Sequence, residues 1–275
     1  MVFREGVAVT KLYLAAAAVL VAGWGMAGAR AEAGEWHGSS GIGSGAFGVS
    51  ARIVSDGSAT HLPPAPVVFG TGEWHYNRTA NRADLSETLG IAAAGQQIAT
   101  LQVTAGHLRV HAASNGVAID HVEPTADGSI DSVEITLQAY PAPSTGTPPL
   151  LSIIGSGITW QASDSETFPK TPVVAGAASF TSMTITGSLV NGDTVNITGT
   201  RPANTTLVLG ATGNVRIVVN QEITAGAIAC TPTCTFIPSG ITTEALAVHL
   251  QQAAIGTQTV SGTIVLGEAR ANVGL

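Results

Sequence analysis

Along most of the chain apolar residues recur at every second position. Residues 182–186 read Ser-Met-Thr-Ile-Thr, residues 132–137 read Ser-Val-Glu-Ile-Thr-Leu, and residues 215–219 form the run Val-Arg-Ile-Val-Val. A strand sends alternate side chains to opposite faces, so a period of two in β-branched residues predicts strands buried on at least one side. Residues 244–251 carry the same pattern, which places Glu244, Leu246, Val248 and Leu250 on one face and Ala245, Ala247, His249 and Gln251 on the other. Turn signals separate the runs: Asn115-Gly116, Asp127-Gly128, Asn191-Gly192-Asp193, Gly213-Asn214 and Pro238-Ser239-Gly240. Many short strands punctuated in this way predict an all-β fold, a β-sandwich or jelly-roll-like arrangement. The best helical candidate downstream of the N-terminus is the short stretch 82–94.

The N-terminus departs from this pattern. Arg4 and Lys11 precede an uncharged run, 12–29, which ends in the small-residue sites Ala29-Arg30-Ala31 and Ala31-Glu32-Ala33. A basic region, an apolar region and an A-x-A site are the three parts of a secretory signal peptide. Gly23, Gly25 and Gly28 shorten the strongly apolar part to 12–22, below the roughly 18 residues that a membrane span requires, so cleavage is expected in place of anchoring. The expected division is a helical signal peptide at 1–31, a flexible Gly/Ser-rich linker at 32–45 and a sandwich domain at 46–275. The Pro-rich segment 141–149 is a loop inside that domain or an internal boundary. The mature chain is expected to be secreted and extracellular, or held at the cell surface, with no transmembrane segment.

Composition sharpens the compartment and removes one class of partner. Charged residues make up 11% of the chain, against about 25% in an average soluble domain. The formal net charge is −7, and the leader would take Arg4, Lys11 and Arg30 away against Glu5 alone. Nucleic acid is therefore excluded as a partner, because phosphates must be neutralised by clustered Lys and Arg. Cys230 and Cys234, the two cysteines, have three residues between them, with Pro232 in the middle. In an oxidising compartment such a pair is expected to form a disulfide that pins its loop; a metal site would need two further ligands.

The layout resembles the bacterial surface proteins called the choice-of-anchor P family. The segments that carry the likeness are 44–51 (SGAFGVSA), 63–67 (PPAPV), 203–207 (ANTTL), 215–222 (VRIVVNQE), 244–250 (EALAVHL) and 267–273 (GEARANV). In order and spacing the late ones are similar to the family's closing strands. The resemblance implies a cell-surface or secreted role without an established enzymatic activity. Ala247-Val248-His249 departs from the family's Ala-Leu-His-like strand, and no sorting tail separates the last such segment from Leu275, so release or non-covalent retention is expected.

Chemical motifs are few. Residues 43–48 fit G-x-G-x-x-G but lack the preceding strand that a dinucleotide site requires, and no G-x-S-x-G elbow occurs. No catalytic or cofactor-binding residue is named, and no cofactor is expected. His107, Arg109 and His111 would share one face of a strand, with Asp120 or His121 as a third ligand, which gives a weak transition-metal candidate. Asp120, Glu123, Asp127, Asp131 and Glu134 surround the expected turn 127–129 and form a weak Ca²⁺ candidate. The weak metal candidates are thus His107, His111, Asp127 and Asp131. Gly-Glu-Trp-His occurs at 34–37 and again at 72–75. Exposed Trp36, Trp74 or Trp160, with His75 beside Trp74, would suit stacking on a sugar ring. Asn77, Asn196 and Asn204 head glycosylation-type sequons. Three functions follow: a non-enzymatic structural or adhesive surface module meeting a cell-envelope polymer or surface protein, an extracellular carbohydrate-binding module, and a secreted metal-dependent hydrolase.

Overall fold

The computed structural model of the protein describes residues 42–71, 75–116, 121–142, 146–167, 172–210, 213–225 and 239–273. The signal peptide expected at 1–31, Trp36, Trp74, Asp120, Cys230 and Cys234 lie outside these residues. The described chain is almost entirely strand, arranged as two antiparallel sheets packed face to face, so the sandwich reading holds.

The first sheet has the order β10-β11-β12-β13-β1-β2. Its strands are β1 (Gly43–Ser55), β2 (Ser58–Thr71), β10 (Thr205–Leu209), β11 (Val215–Ala225), β12 (Ser239–Ile255) and β13 (Gln258–Val273). The second has the order β3-β4-β6-β7-β8-β9, built from β3 (His75–Ala93), β4 (Gln96–Asn115), β6 (Pro124–Ala139), β7 (Leu151–Thr167), β8 (Val173–Thr186) and β9 (Val195–Thr200). The two-residue β5 (His121–Val122) pairs with the end of β7. Strands follow one another as a meander that enters the second sheet after β2 and returns at β10. The last strand, β13, closes against the first along Gly43↔Asn272 to Val54↔Ser261. The Pro-rich 141–149 segment joins β6 to β7, neighbours in one sheet.

Four expectations meet the structure differently. Residues 82–94 lie in β3 and its closing turn, paired with β4 from Arg82↔Leu108 to Ala93↔Gln96; Leu85 and Ile91 bury against the core, and this tertiary packing overrides the weak helical preference. Asp127-Gly128 is no turn: it sits inside β6 with β4 on one side and β7 on the other. The glycine serves close packing there, because a Cβ would fall 2.2 Å from Trp160 Cζ2. Gly43 to Gly45 pair with both β13 and β2 and so belong to the sandwich instead of the linker, which also removes the loop that a G-x-G-x-x-G site needs. Glu244 does not share a face with Leu246, because the alternation changes phase between them.

That change of phase crosses each sheet as a belt. In the second sheet the inward side chains on β4 are Val103 and Ala105 on one side and Leu108, Val110 and Ala112 on the other, which leaves Gly106 and His107 both outward. Asp131-Ser132, Ser156-Gly157 and Thr181-Ser182 do the same on β6, β7 and β8. His107 (φ 52) and Gly157 (φ 55) take the left-handed backbone that turns consecutive side chains onto one face. The first sheet has the complementary belt, with Ala245 and Leu246 both inward and left-handed Asn220 and Gly267 in the neighbouring strands. β1, β11, β12 and β13 are mostly buried on both faces at mid-length, which accounts for the nearly unbroken apolar run at 215–219.

Candidate functional site

The outward face of the second sheet is a ladder of hydroxyl and amide side chains. Two of its cross-strand rows are Ser86–Thr104–Glu134–Ile154–Thr184–Asn196 and Asn81–Arg109–Ser129–Thr159–Ser179–Thr200. Neighbours in the ladder bond one another: Ser156 and Ser182 hydroxyls lie 2.8 Å apart, Thr159 and Ser179 2.7 Å, and Thr184 donates to Asn196 Oδ1 at 3.0 Å. The outward belt divides two grooves. One, of about 590 Å³, is lined by Arg109, Asp127, Ser129, Thr159 and Gln161 over a floor of Gly128 and Trp160. The other, of about 450 Å³, is lined by Asp84, Ser86, Thr104, Ser132 and Glu134.

His107, His111, Asp127, Asp131 and Glu134 reach this face but do not converge, and Asp120 lies outside the described residues. His111 Nδ1 meets Asp127 Oδ1 at 2.8 Å and its Nε2 meets Asn77 Oδ1 at 3.1 Å, so both ring nitrogens are engaged. His107 Nδ1 stands 3.6 Å from Asp131 Oδ2 with both side chains at least 70% exposed, a pair that solvent largely screens. His107 and His111 thus face separate carboxylates across β6, and among the described residues no three His, Cys, Asp or Glu side chains gather as a metal set. His121 bonds Thr167 at the end of β7, 2.8 Å away. Trp160 is 2% exposed beneath the larger groove and cannot stack on a ligand, whereas His75 is exposed at the start of β3.

Two buried ionic groups escaped the sequence reading. On β7 the inward series Trp160, Ala162, Asp164, Glu166 carries carboxylates into the interior. Ser239 Oγ donates to Asp164 Oδ2 at 2.7 Å. Burial pushes the Asp164 carboxyl up to about 6, against the downward pull of hydrogen bonds from Ser239 and the Val273 backbone. In the first sheet Glu244 lies opposite Glu268 across β12 and β13, and Arg270 Nε donates to Glu268 Oε1. Burial and the Glu268 charge push the Glu244 carboxyl well above its ordinary range, with Arg270 pulling the other way. Burial, aided by Arg216, pushes the His249 imidazole down. For Asp164 and Glu166 the available signal was phase: acidic residues at inward positions of an alternating strand.

Among the described residues no helix is long and apolar enough to cross a membrane. Comparison with protein-family models, with curated proteins and with solved structures gives no match to this chain.

Proposed function

We propose that the protein is a secreted or cell-surface, non-enzymatic adhesive β-domain whose contact surface is the outward face of the second sheet. The observation that carries this reading is the ladder of Ser, Thr, Asn and Gln running over six strands and dipping into two grooves. A rigid sheet holds these donors and acceptors at fixed spacings, about 4.8 Å between strands, so a hydroxyl-rich polymer could exchange its water for them at little ordering cost. Few charges interrupt the two rows, and Ile154 is their only large exposed apolar side chain, which favours a neutral cell-envelope polysaccharide over an apolar protein surface. The choice-of-anchor P likeness and the leader at 1–31 support the compartment. Stacking on a sugar ring does not run through Trp160, which is covered, and Trp36 and Trp74 lie outside the described residues.

The test is binding of the purified protein to insoluble envelope polysaccharide, measured as an isotherm. Arg109→Ala with Gln161→Ala, in the larger groove, is expected to weaken binding at least tenfold, about 1.4 kcal/mol. Equal binding by this double variant, or no retention on any envelope fraction, would count against the proposal.

A further inference from the structure

At one end of the sandwich β7, β12 and β13 bring two carboxylates into the interior. Asp164 is 0% and Glu166 1% exposed, and both follow Trp160 and Ala162 in the inward phase of β7. The Asp164 carboxylate receives the Ser239 hydroxyl at Oδ2 and faces the Val273 backbone N–H, while Oδ1 is buried without a hydrogen-bond partner. Among the described residues Asp164 has no ion pair. A buried carboxylate oxygen that no donor satisfies is costly unless a proton or a cation takes the donor's place.

We propose that Asp164 and Glu166 hold a hard divalent cation, Ca²⁺, inside this end of the sandwich. Residues two apart on one strand face stand about 6.7 Å apart along the strand, and Ca–O distances of about 2.3–2.6 Å let two such carboxylates converge on one ion. The donors are all oxygen, which suits Ca²⁺ and not zinc, and water completes the shell. Ca²⁺ tolerates such irregular sets, and extracellular modules bind it at the concentrations found outside cells. The ion would tie β7 to β5, which pairs at Val122↔Glu166, and through Asp164 to Ser239 at the start of β12. Asp127 and Asp131 differ, since both are exposed and already face histidines. This site is independent of the adhesive reading of the sheet face.

Thermal unfolding of the full chain at pH 7.5, followed by circular dichroism, tests it in 5 mM Ca²⁺, 5 mM Mg²⁺ and EDTA. The expected result is a Tm several degrees higher in Ca²⁺ than in EDTA. That shift is expected to vanish in Asp164→Asn and in Glu166→Gln and to persist in Asp127→Asn. An identical Tm in Ca²⁺ and EDTA overturns the proposal, as does loss of the shift in Asp127→Asn with retention in Asp164→Asn. Should the buried variants fail to fold, Tb³⁺ luminescence on the unsubstituted chain decides. Trp160 lies four residues before Asp164 on the same face, about 13 Å away, so sensitised emission displaced by Ca²⁺ is expected and its absence refutes the site.

Discussion

Adding one methyl group at Gly128 tests how the larger groove is built. A Cβ there would lie 2.2 Å from Cζ2 and 2.6 Å from Cε2 of Trp160, and 2.9 Å from the Arg109 carbonyl oxygen. Carbon atoms pack at about 3.5–4.0 Å, so the methyl overlaps the indole by more than an ångström. The same ring also lies close to Gly267 of the first sheet, where a Cβ would come within 2.4 Å of it. Gly128 is not among the left-handed glycines, so Gly128→Ala adds bulk without backbone strain, whereas Gly267, at φ 63, would confound the two. Overpacking a dense core costs about 1–3 kcal/mol, and an overlap this deep with a buried ring places this case near 3. At roughly 2–4 °C per kcal/mol for a domain of this size, Gly128→Ala should lower the Tm by about 6–12 °C. The assay is thermal unfolding of Gly128→Ala, Trp160→Leu and the double variant. If the indole is the obstacle, alanine at 128 should cost at least about 1 kcal/mol less in the leucine background. Strictly additive costs, or a wild-type melting curve for Gly128→Ala, would refute the packing argument.

Other consequences are open to measurement. Because burial raises the Asp164 pKa from 3.8 to about 6, the native chain binds that proton more tightly than the unfolded chain. In EDTA, stability should therefore fall as pH rises from about 4 to about 6, by roughly 3 kcal/mol; denaturant midpoints across that range should flatten in Asp164→Asn. Glu244 has the same sign, so Glu244→Gln should be more stable than wild type at pH 7, and a lower midpoint would contradict the burial argument. Asp131→Asn should melt like wild type because its pair with His107 is exposed, while His111→Ala should lose stability with its contacts to Asp127 and Asn77. N-terminal sequencing of protein recovered from the envelope or medium should begin near residue 32; an intact N-terminus on cytosolic protein would remove the export reading.

Period-two alternation made the fold class legible because a half-buried strand needs it whatever its neighbours are. Sheet membership was not legible, since β13 finds β1 across more than two hundred residues and no local signal encodes that closure. The histidines were rightly placed on one face, yet shared orientation does not bring side chains together. His107 and His111 each meet a carboxylate on β6, and that pairing depends on register. Asp127-Gly128 misled because glycine serves two needs, left-handed backbone in turns and close approach in strands; only the position of Trp160 decides between them. Asp164 and Glu166 were missed because acidic residues were sought as clusters and not as violations of strand phase.

The reversal of alternation explains why the exposed face has grooves at all. At the waist the first sheet turns Gly48 and Gly267 inward, and their missing side chains admit Leu108 and Trp160 from the second sheet; a Cβ would stand 2.8 Å from Leu108 Cδ2 and 2.4 Å from the indole. Large residues on one sheet thus meet small ones on the other, and the sheets approach closely there. Beside these rows the second sheet sends doublets outward, Gly106-His107, Asp131-Ser132, Ser156-Gly157 and Thr181-Ser182, between the two grooves. The polar relief offered to a ligand is therefore the outer side of the device that packs the core. A substitution that restored strict alternation on one of these strands would disturb both together, so on this face a variant that loses binding while keeping its melting temperature should be found in the groove walls, at Arg109 or Gln161, and not at the belt.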